Sequence, residues 1–192
     1  MHGYDWSQFD AIAELHKKYP DIPIWMSEVC YAQVSNIPPH GPKQVPVYDF
    51  SDGQFWGNMI MNDIKCGASE WIYWNMVLDE NGGPWLVSVE HGNPENNPQH
   101  PVVIVNRKTG QVHYTGLYYY LAHFSRFVRP GAYRISAIGN QEKLNFAAFM
   151  NPDGKKVVIV INNDRKTFRS IQWNKLELIY TFPAHSITTL IW

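Results

Sequence analysis

Hydrophobic residues fall along this chain in two rhythms, helical spacing mixed with compact apolar runs up to about residue 130, and strand-like runs alone beyond it. Phe9, Ile12, Ala13 and His16 share one face of a surface helix predicted over residues 7–18, with Ser7 as N-cap and Pro20 as stop. The run "IPIWMS" then predicts a short buried strand, because an apolar stretch bounded by Pro and by charge suits a central β-strand. Pro38, Pro39, Pro42 and Pro46 make residues 34–50 a loop. Ser51 or Asp52 opens a second helix that carries Trp56, Met59, Ile60 and Ile64 on one face and ends near Gly67. "SEWIYWNMVL" predicts another buried strand, and the alternation of helix and strand signals a parallel sheet with crossover helices.

After that strand comes "DENGGPWLVSVEHGNPENNPQHP", too polar and too rich in Gly, Pro and Asn to be core. "VVIV" and "QVHYT" flank "NRKTG" as a hairpin, and Leu117, Leu121, Phe124 and Val128 fit a third helix stopped by Pro130 and Gly131. From about residue 132 six β-type runs follow, "YRISAI", "LNFAAFM", "KKVVIVIN", "TFRSIQW", "LELIYTF" and "SITTLIW", separated by turn-rich connections. That spacing belongs to an antiparallel sandwich. The expectation is therefore an α/β part over residues 1–129 and an all-β part over 130–192.

Composition narrows the function classes. With 45% apolar and 15% aromatic residues, the 192-residue chain can bury a core. Sixteen Lys and Arg against seventeen Asp and Glu leave a formal charge of −1, which argues against nucleic acid and anionic membrane surfaces as partners. No apolar run approaches the ~20 residues of a membrane span, and "MHGYDWSQFD" lacks a signal peptide's basic and apolar regions. Cys30 and Cys66 are expected to be free thiols. Neither they nor the eight histidines show metal-ligand spacing, so no metal and no cofactor is expected. Tyr118, Tyr119 and Tyr120 read as helix core, His123 as an interdomain hydrogen-bonding residue, and Asp79 and Glu80, before "NGGP", as turn residues in preference to rim contacts.

One carboxylate stands out. Glu28 sits where the apolar run from Ile22 to Met26 ends, and strict alternation would put Ile24, Met26 and Glu28 on one face with Trp25 and Ser27 on the other. If Ile24 and Met26 filled a barrel interior, Glu28 would emerge at its C-terminal mouth, where (β/α)₈ enzymes keep catalytic groups. A carboxylate that merely closes a strand and accepts backbone hydrogen bonds is the alternative. In "WIYWNM" alternation puts Ile72, Trp74 and Met76 on one face and Trp71, Tyr73 and Asn75 on the other. Rings at a strand end are either core or platforms for the apolar faces of pyranose rings, with Asn75 as a polar partner for hydroxyls.

"IWMSEVC", "WIYWNMVLDENGGPW" and "GLYYYLAHFSRFVRPGAYRI", in this order and spacing, resemble the C-terminal half of glycoside hydrolase family 30, the glucosylceramidase-like retaining β-glycosidases. The resemblance covers nearly the whole chain. It implies the C-terminal part of a (β/α)₈ TIM barrel, namely strands seven and eight with the end of six, followed by an antiparallel β-sandwich. It also implies Glu28 as the nucleophile, Tyr4 of "HGYDW" as a tyrosine contacting it, Trp74 packing against the glycone, and Trp85 on the rim loop. His2 and Asn75 are further candidate substrate-binding residues. The implied substrate is a carbohydrate or glycolipid, and the implied compartment is secreted or lysosome-like.

A retaining glycosidase needs a second carboxyl group about 5 to 5.5 Å from the nucleophile as acid/base. In the family that residue is the Glu of an Asn-Glu-Pro motif on strand four, and this sequence contains no Asn-Glu-Pro. A complete barrel takes ~250 residues. The chain therefore reads as a fragment whose partner is the N-terminal half of the barrel and which is inactive by itself. The alternative, from a different class, is a non-catalytic carbohydrate-binding module, for which aromatics and an all-β half would suffice.

Overall fold

The computed structural model describes residues 1–2, 9–30, 48–83, 100–139 and 143–192. Helix α1 (Phe9–Lys18) leads into strand β1 (Ile24–Val29), helix α2 (Phe50–Lys65) and strand β2 (Ala68–Tyr73). β1 and β2 pair in parallel, as a connection through a helix requires. Residues 1 and 2 extend this sheet on its other side. The Met1 amino group donates to the Trp25 carbonyl at 2.7 Å, Ser27 N donates to the Met1 carbonyl at 2.8 Å, and His2 bridges in parallel to Glu28. These are three successive parallel stretches of a barrel wall with α1 and α2 as their crossovers.

The expected single strand over "SEWIYWNMVL" is two. It breaks at Trp74, Asn75 and Met76 and resumes as β3 (Val77–Asp79), parallel to β4 (Val103–Val105), which forms the expected hairpin with β5 (Val112–Tyr114). Helix α3 (Gly116–Phe127) follows, capped by the Thr115 side chain. The opening of α2 lies slightly ahead of the expected one. Asp49 is its N-cap and accepts from Ser51 N, while Asp52 accepts from Tyr48 N.

Helices α2 and α3 approach closely because glycines line the contact. A Cβ on Gly53 or Gly57 would strike the Tyr120 ring, and one on Gly116 would fall on the Asp49 carbonyl, a backbone group that cannot move aside. Gly116→Ala should therefore destabilise by about 3 kcal/mol, the upper end of overpacking costs, although alanine is the better helix former. Thermal unfolding followed by circular dichroism checks the sign, and a gain in stability would show that the contact yields.

All six expected strands of the second half are present: β6 (Tyr133–Ile135), β7 (Leu144–Met150), β8 (Lys156–Asn162), β9 (Thr167–Trp173), β10 (Leu176–Phe182) and β11 (Ser186–Ile191). They form a four-stranded antiparallel sheet in the order β11-β8-β7-β6 and a β9-β10 hairpin turned through Asn174 at positive φ. The unbroken "VVIVI" run has a simple cause. Val157, Ile159 and Ile161 pack against Ile60, Met61, Tyr120 and Phe124 of α2 and α3, while Val158 and Val160 face Leu144 and Phe182 on the hairpin side. A strand covered on both faces has no place for polar residues.

Amide side chains close the seam between the two parts. Asn145 donates to Asn58 and Asn62, Asn163 donates to Asn58, and Asn58 and Gln54 donate to Asn163. His123 meets Thr189 across the same seam at 2.7 Å, and burial pushes its imidazole below the ordinary histidine range.

Candidate active site

The wall formed by β1 and β2 has one covered face and one open face. On β1, Met26 and Val29 are buried in a single cluster with Trp56 and Met59 of α2, so both point at the helices. They are three residues apart, an odd interval that regular alternation forbids. The register explains it. Met26 stands opposite Trp71 and Val29 opposite Tyr73, so three steps on β1 match two on β2, and the extra residue is a β-bulge at Ser27–Glu28.

This corrects the expected facing. Met26 lies against the helix layer, with Ile24 also buried two residues before it, and does not fill the barrel interior. Glu28, next to inward-packed Val29, points to the opposite, open face, which it shares with Trp25. Its side chain is 29% exposed, with His2 Nδ1 3.9 Å from its Oε1. The signal for the bulge was present in "SEVC", where Val29 and Cys30, both apolar, follow Glu28 and break the alternation.

β2 alternates as expected, with a different division of labour among its rings. Trp71 and Tyr73 turn into the helix layer, where both meet Trp56 edge-on at ring-centroid distances of 6.0 and 5.0 Å. Trp71 Nε1 donates to Asp63, and the Tyr73 hydroxyl donates to the His100 carbonyl at 2.8 Å. Ile72 and Trp74 are left on the open face, Trp74 with 39% of its surface exposed. Trp74 N donates to the Val29 carbonyl at 3.0 Å, which brings the tryptophan to the strand end beside Glu28.

A buried polar support stands behind that strand end. The Tyr48 hydroxyl and His100 Nδ1 share a 2.8 Å hydrogen bond. Burial holds the imidazole down at about 4 and, with Asp52 nearby, pushes the Tyr48 phenol up to about 12, so both groups stay neutral in ordinary buffers. The segment beyond His100 then clamps the break after β2, Val102 N donating to the Asn75 carbonyl and Val103 N to the Met76 carbonyl. Asn75 and Trp74 are joined by a cis peptide. The Asn75 side-chain nitrogen is buried and has no hydrogen-bond partner among the described residues, so it is not offered to the open face.

Two candidate residues, Tyr4 and Trp85, lie outside the described residues. Asp79 is a turn residue as read, its Oδ1 accepting from Asn81 N and Gly83 N, and it also ion-pairs with Arg107 at 3.0 Å. No second carboxylate of β2 stands near Glu28. Glu70 is level with Trp25, three residues or about 10 Å toward the other end of the strand. Among the described residues no group of three or more His, Cys, Asp or Glu could hold a metal, and no helix is long and apolar enough to cross a membrane.

The family profile described as the glycosyl hydrolase family 30 TIM-barrel domain matches residues 1–128, and that of the family's β-sandwich domain matches residues 131–190. The chain belongs to glycosyl hydrolase family 30. Its fold is thus the C-terminal part of the family 30 TIM barrel followed by the family's β-sandwich. Among similar proteins, the lysosomal acid glucosylceramidase of Mus musculus is 24% identical over 188 residues, covering 95% of this chain and 33% of its own. A Caenorhabditis elegans protein named as glucosylceramidase 4 is 29% identical over 156 residues, covering 80% of this chain and 27% of its own. The solved structure of SrfJ from Salmonella typhimurium superposes with a TM-score of 0.82 at 26% identity, over all of this chain and 39% of that one. The family 30 chain thus spans about a third of the length of these relatives.

Proposed function

We propose that this chain supplies the nucleophile side of a retaining β-glycosidase acting on β-glucosides of the glucosylceramide type, with Glu28 as nucleophile and the domain junction at residues 129–130. The observation that carries the reading is the bulge that turns Glu28 onto the open face beside Trp74. Ionised Glu28 attacks the anomeric carbon, the C–O bond to the aglycone breaks, and a glycosyl ester forms. Water then hydrolyses that ester and returns the carboxylate. Trp74 offers an apolar face to the sugar ring, and His2 Nδ1 stands 3.9 Å from the Glu28 carboxylate. Tyr4 is assigned beside the nucleophile and Trp85 to the rim on the family motif alone.

The proton for the departing aglycone oxygen must come from a second carboxylic acid, and the motif that carries it in this family is absent from these residues. The purified chain should therefore show no turnover of β-glucosides with poor leaving groups, which cannot depart without that proton. Mixing it with a polypeptide carrying the Asn-Glu-Pro part of a family 30 barrel should restore turnover. Hydrolysis by the chain alone, abolished in Glu28→Gln, would overturn the need for an outside carboxylate. Saturable sugar binding that yields no hydrolysis even in the mixture would favour a binding module.

A further inference from the structure

Among the described residues, Asp63 is the one buried acidic side chain that the proposed chemistry does not use and no ion pair compensates. It sits on the sheet-facing side of α2, 1% exposed, and its carboxylate accepts a 2.9 Å hydrogen bond from the Trp71 indole of β2. The other ionisable groups on the elements around it are Asp52 and Lys65 on α2 and Cys66 just after that helix, Asp10, Glu14, His16, Lys17 and Lys18 on α1, Glu70 and Tyr73 on β2, and Tyr133 and Arg134 on β6. No Lys, Arg or His nitrogen forms an ion pair with Asp63 among the described residues. Lys65 donates to Asn145, and Asp10 adds a like charge to this corner. Trp71 is itself locked, stacked on Tyr73 at 6.2 Å and edge-on to Trp56. It stands opposite Met26, just before the bulge that aims Glu28.

We infer that Asp63 is a proton-operated latch between α2 and the sheet that carries Glu28 and Trp74, holding most tightly when its carboxyl is protonated. An ionised carboxylate here has lost its water and gained only an indole donor. The neutral acid keeps that bond without the charge. Burial accordingly lifts Asp63 to about 6, against a smaller downward pull from the Trp71 hydrogen bond. A group raised in the folded state binds more protons there than in the unfolded chain. Stability is therefore lost as pH rises toward and through about 6 and is gained on acidification. The latch makes the wall under the active-site residues firmer in acid than at neutral pH.

Urea unfolding of the chain between about pH 5 and about pH 8, followed by far-ultraviolet circular dichroism, tests this. Relative to Asp63→Asn, the unfolding constant of the wild type should rise roughly 10-fold across that range, with the change centred near pH 6. The Asn variant, which keeps an oxygen for Trp71, should be the more stable protein at the alkaline end. Trp71→Phe removes the only described donor and should move the wild-type midpoint to higher pH. Parallel profiles for the wild type and Asp63→Asn, or a midpoint moved down by Trp71→Phe, would overturn the latch. Infrared spectroscopy gives a reading that needs no reversible unfolding. The native protein at about pH 5 should show a protonated-carboxyl band that Asp63→Asn lacks and that fades near pH 6, and its absence would also overturn the inference.

Discussion

With the rest of a family 30 barrel supplied, an activated 2-deoxy-2-fluoro-β-glucoside should leave one sugar esterified to Glu28, and Glu28→Gln should take up none. Fluorine beside the anomeric centre disfavours the positive charge of both transition states, while a good leaving group rescues the first step alone, so the ester accumulates. Peptide mass mapping would find it between Ile24 and Cys30. Turnover of an ordinary aryl glucoside should fall on the order of 10⁴- to 10⁶-fold in Glu28→Gln, the scale on which loss of a covalent nucleophile acts. Glu28→Gly with azide should regain rate and give the α-glycosyl azide, because the small anion enters from the face that Glu28 vacates. Label on another carboxylate, or a Glu28→Gln protein that still labels, would remove Glu28 from the reaction. The bulge makes this a demanding test. Without the extra residue on β1, Glu28 would share the face of Met26 and lie under α2, out of reach of any sugar.

That bulge also marks how far the sequence could be read. Elements whose burial follows one period were legible: α1, α2 and α3 by helical spacing and the six sandwich strands by their turn-bounded runs. The run of β8 gave its strand without its setting, since only the packed structure puts helices on one face and the β9-β10 hairpin on the other. Strict alternation failed at Glu28, and two errors offset one another there. The face taken as interior carries Met26 to the helices, and the bulge then returns Glu28 to the true open side. The split of "SEWIYWNMVL" was hidden because Trp74 and Met76 are as apolar as strand residues. What breaks the strand is the backbone clamp from Val102 and Val103, a contact between residues nearly thirty positions apart. His123 was legible for the opposite reason: a histidine on an otherwise apolar helix face needs a buried partner, and Thr189 provides it.

Replacing Trp56 by Ala should be the most destabilising single change in the barrel part, at about 4 kcal/mol. The side chain is fully buried at the middle of α2, and its ring meets Phe55 at 5.2 Å, Tyr73 at 5.0 Å and Trp71 at 6.0 Å, all edge-on. It also belongs to the cluster that holds Met26 and Val29 of β1 with Val102 and Leu117. Truncation removes one of the largest apolar surfaces in the core, leaves a cavity between backbone elements that cannot all close, and deletes three aromatic pairs at once. Against a total stability on the order of 5 to 15 kcal/mol, such a loss takes a large share. Trp56→Phe keeps most of the volume and should cost only about 1 to 2 kcal/mol. The urea midpoints of the two variants, compared with the wild type, separate packing from any specific need for the indole. A cost below about 1 kcal/mol for Trp56→Ala would mean that α2 is not what holds β1 and β2 together. The site residues would feel the change without touching it. Trp56 bears on Tyr73, which precedes Trp74, and its cluster includes Val29, which follows Glu28, so a ring lost behind the sheet loosens the two side chains in front of it.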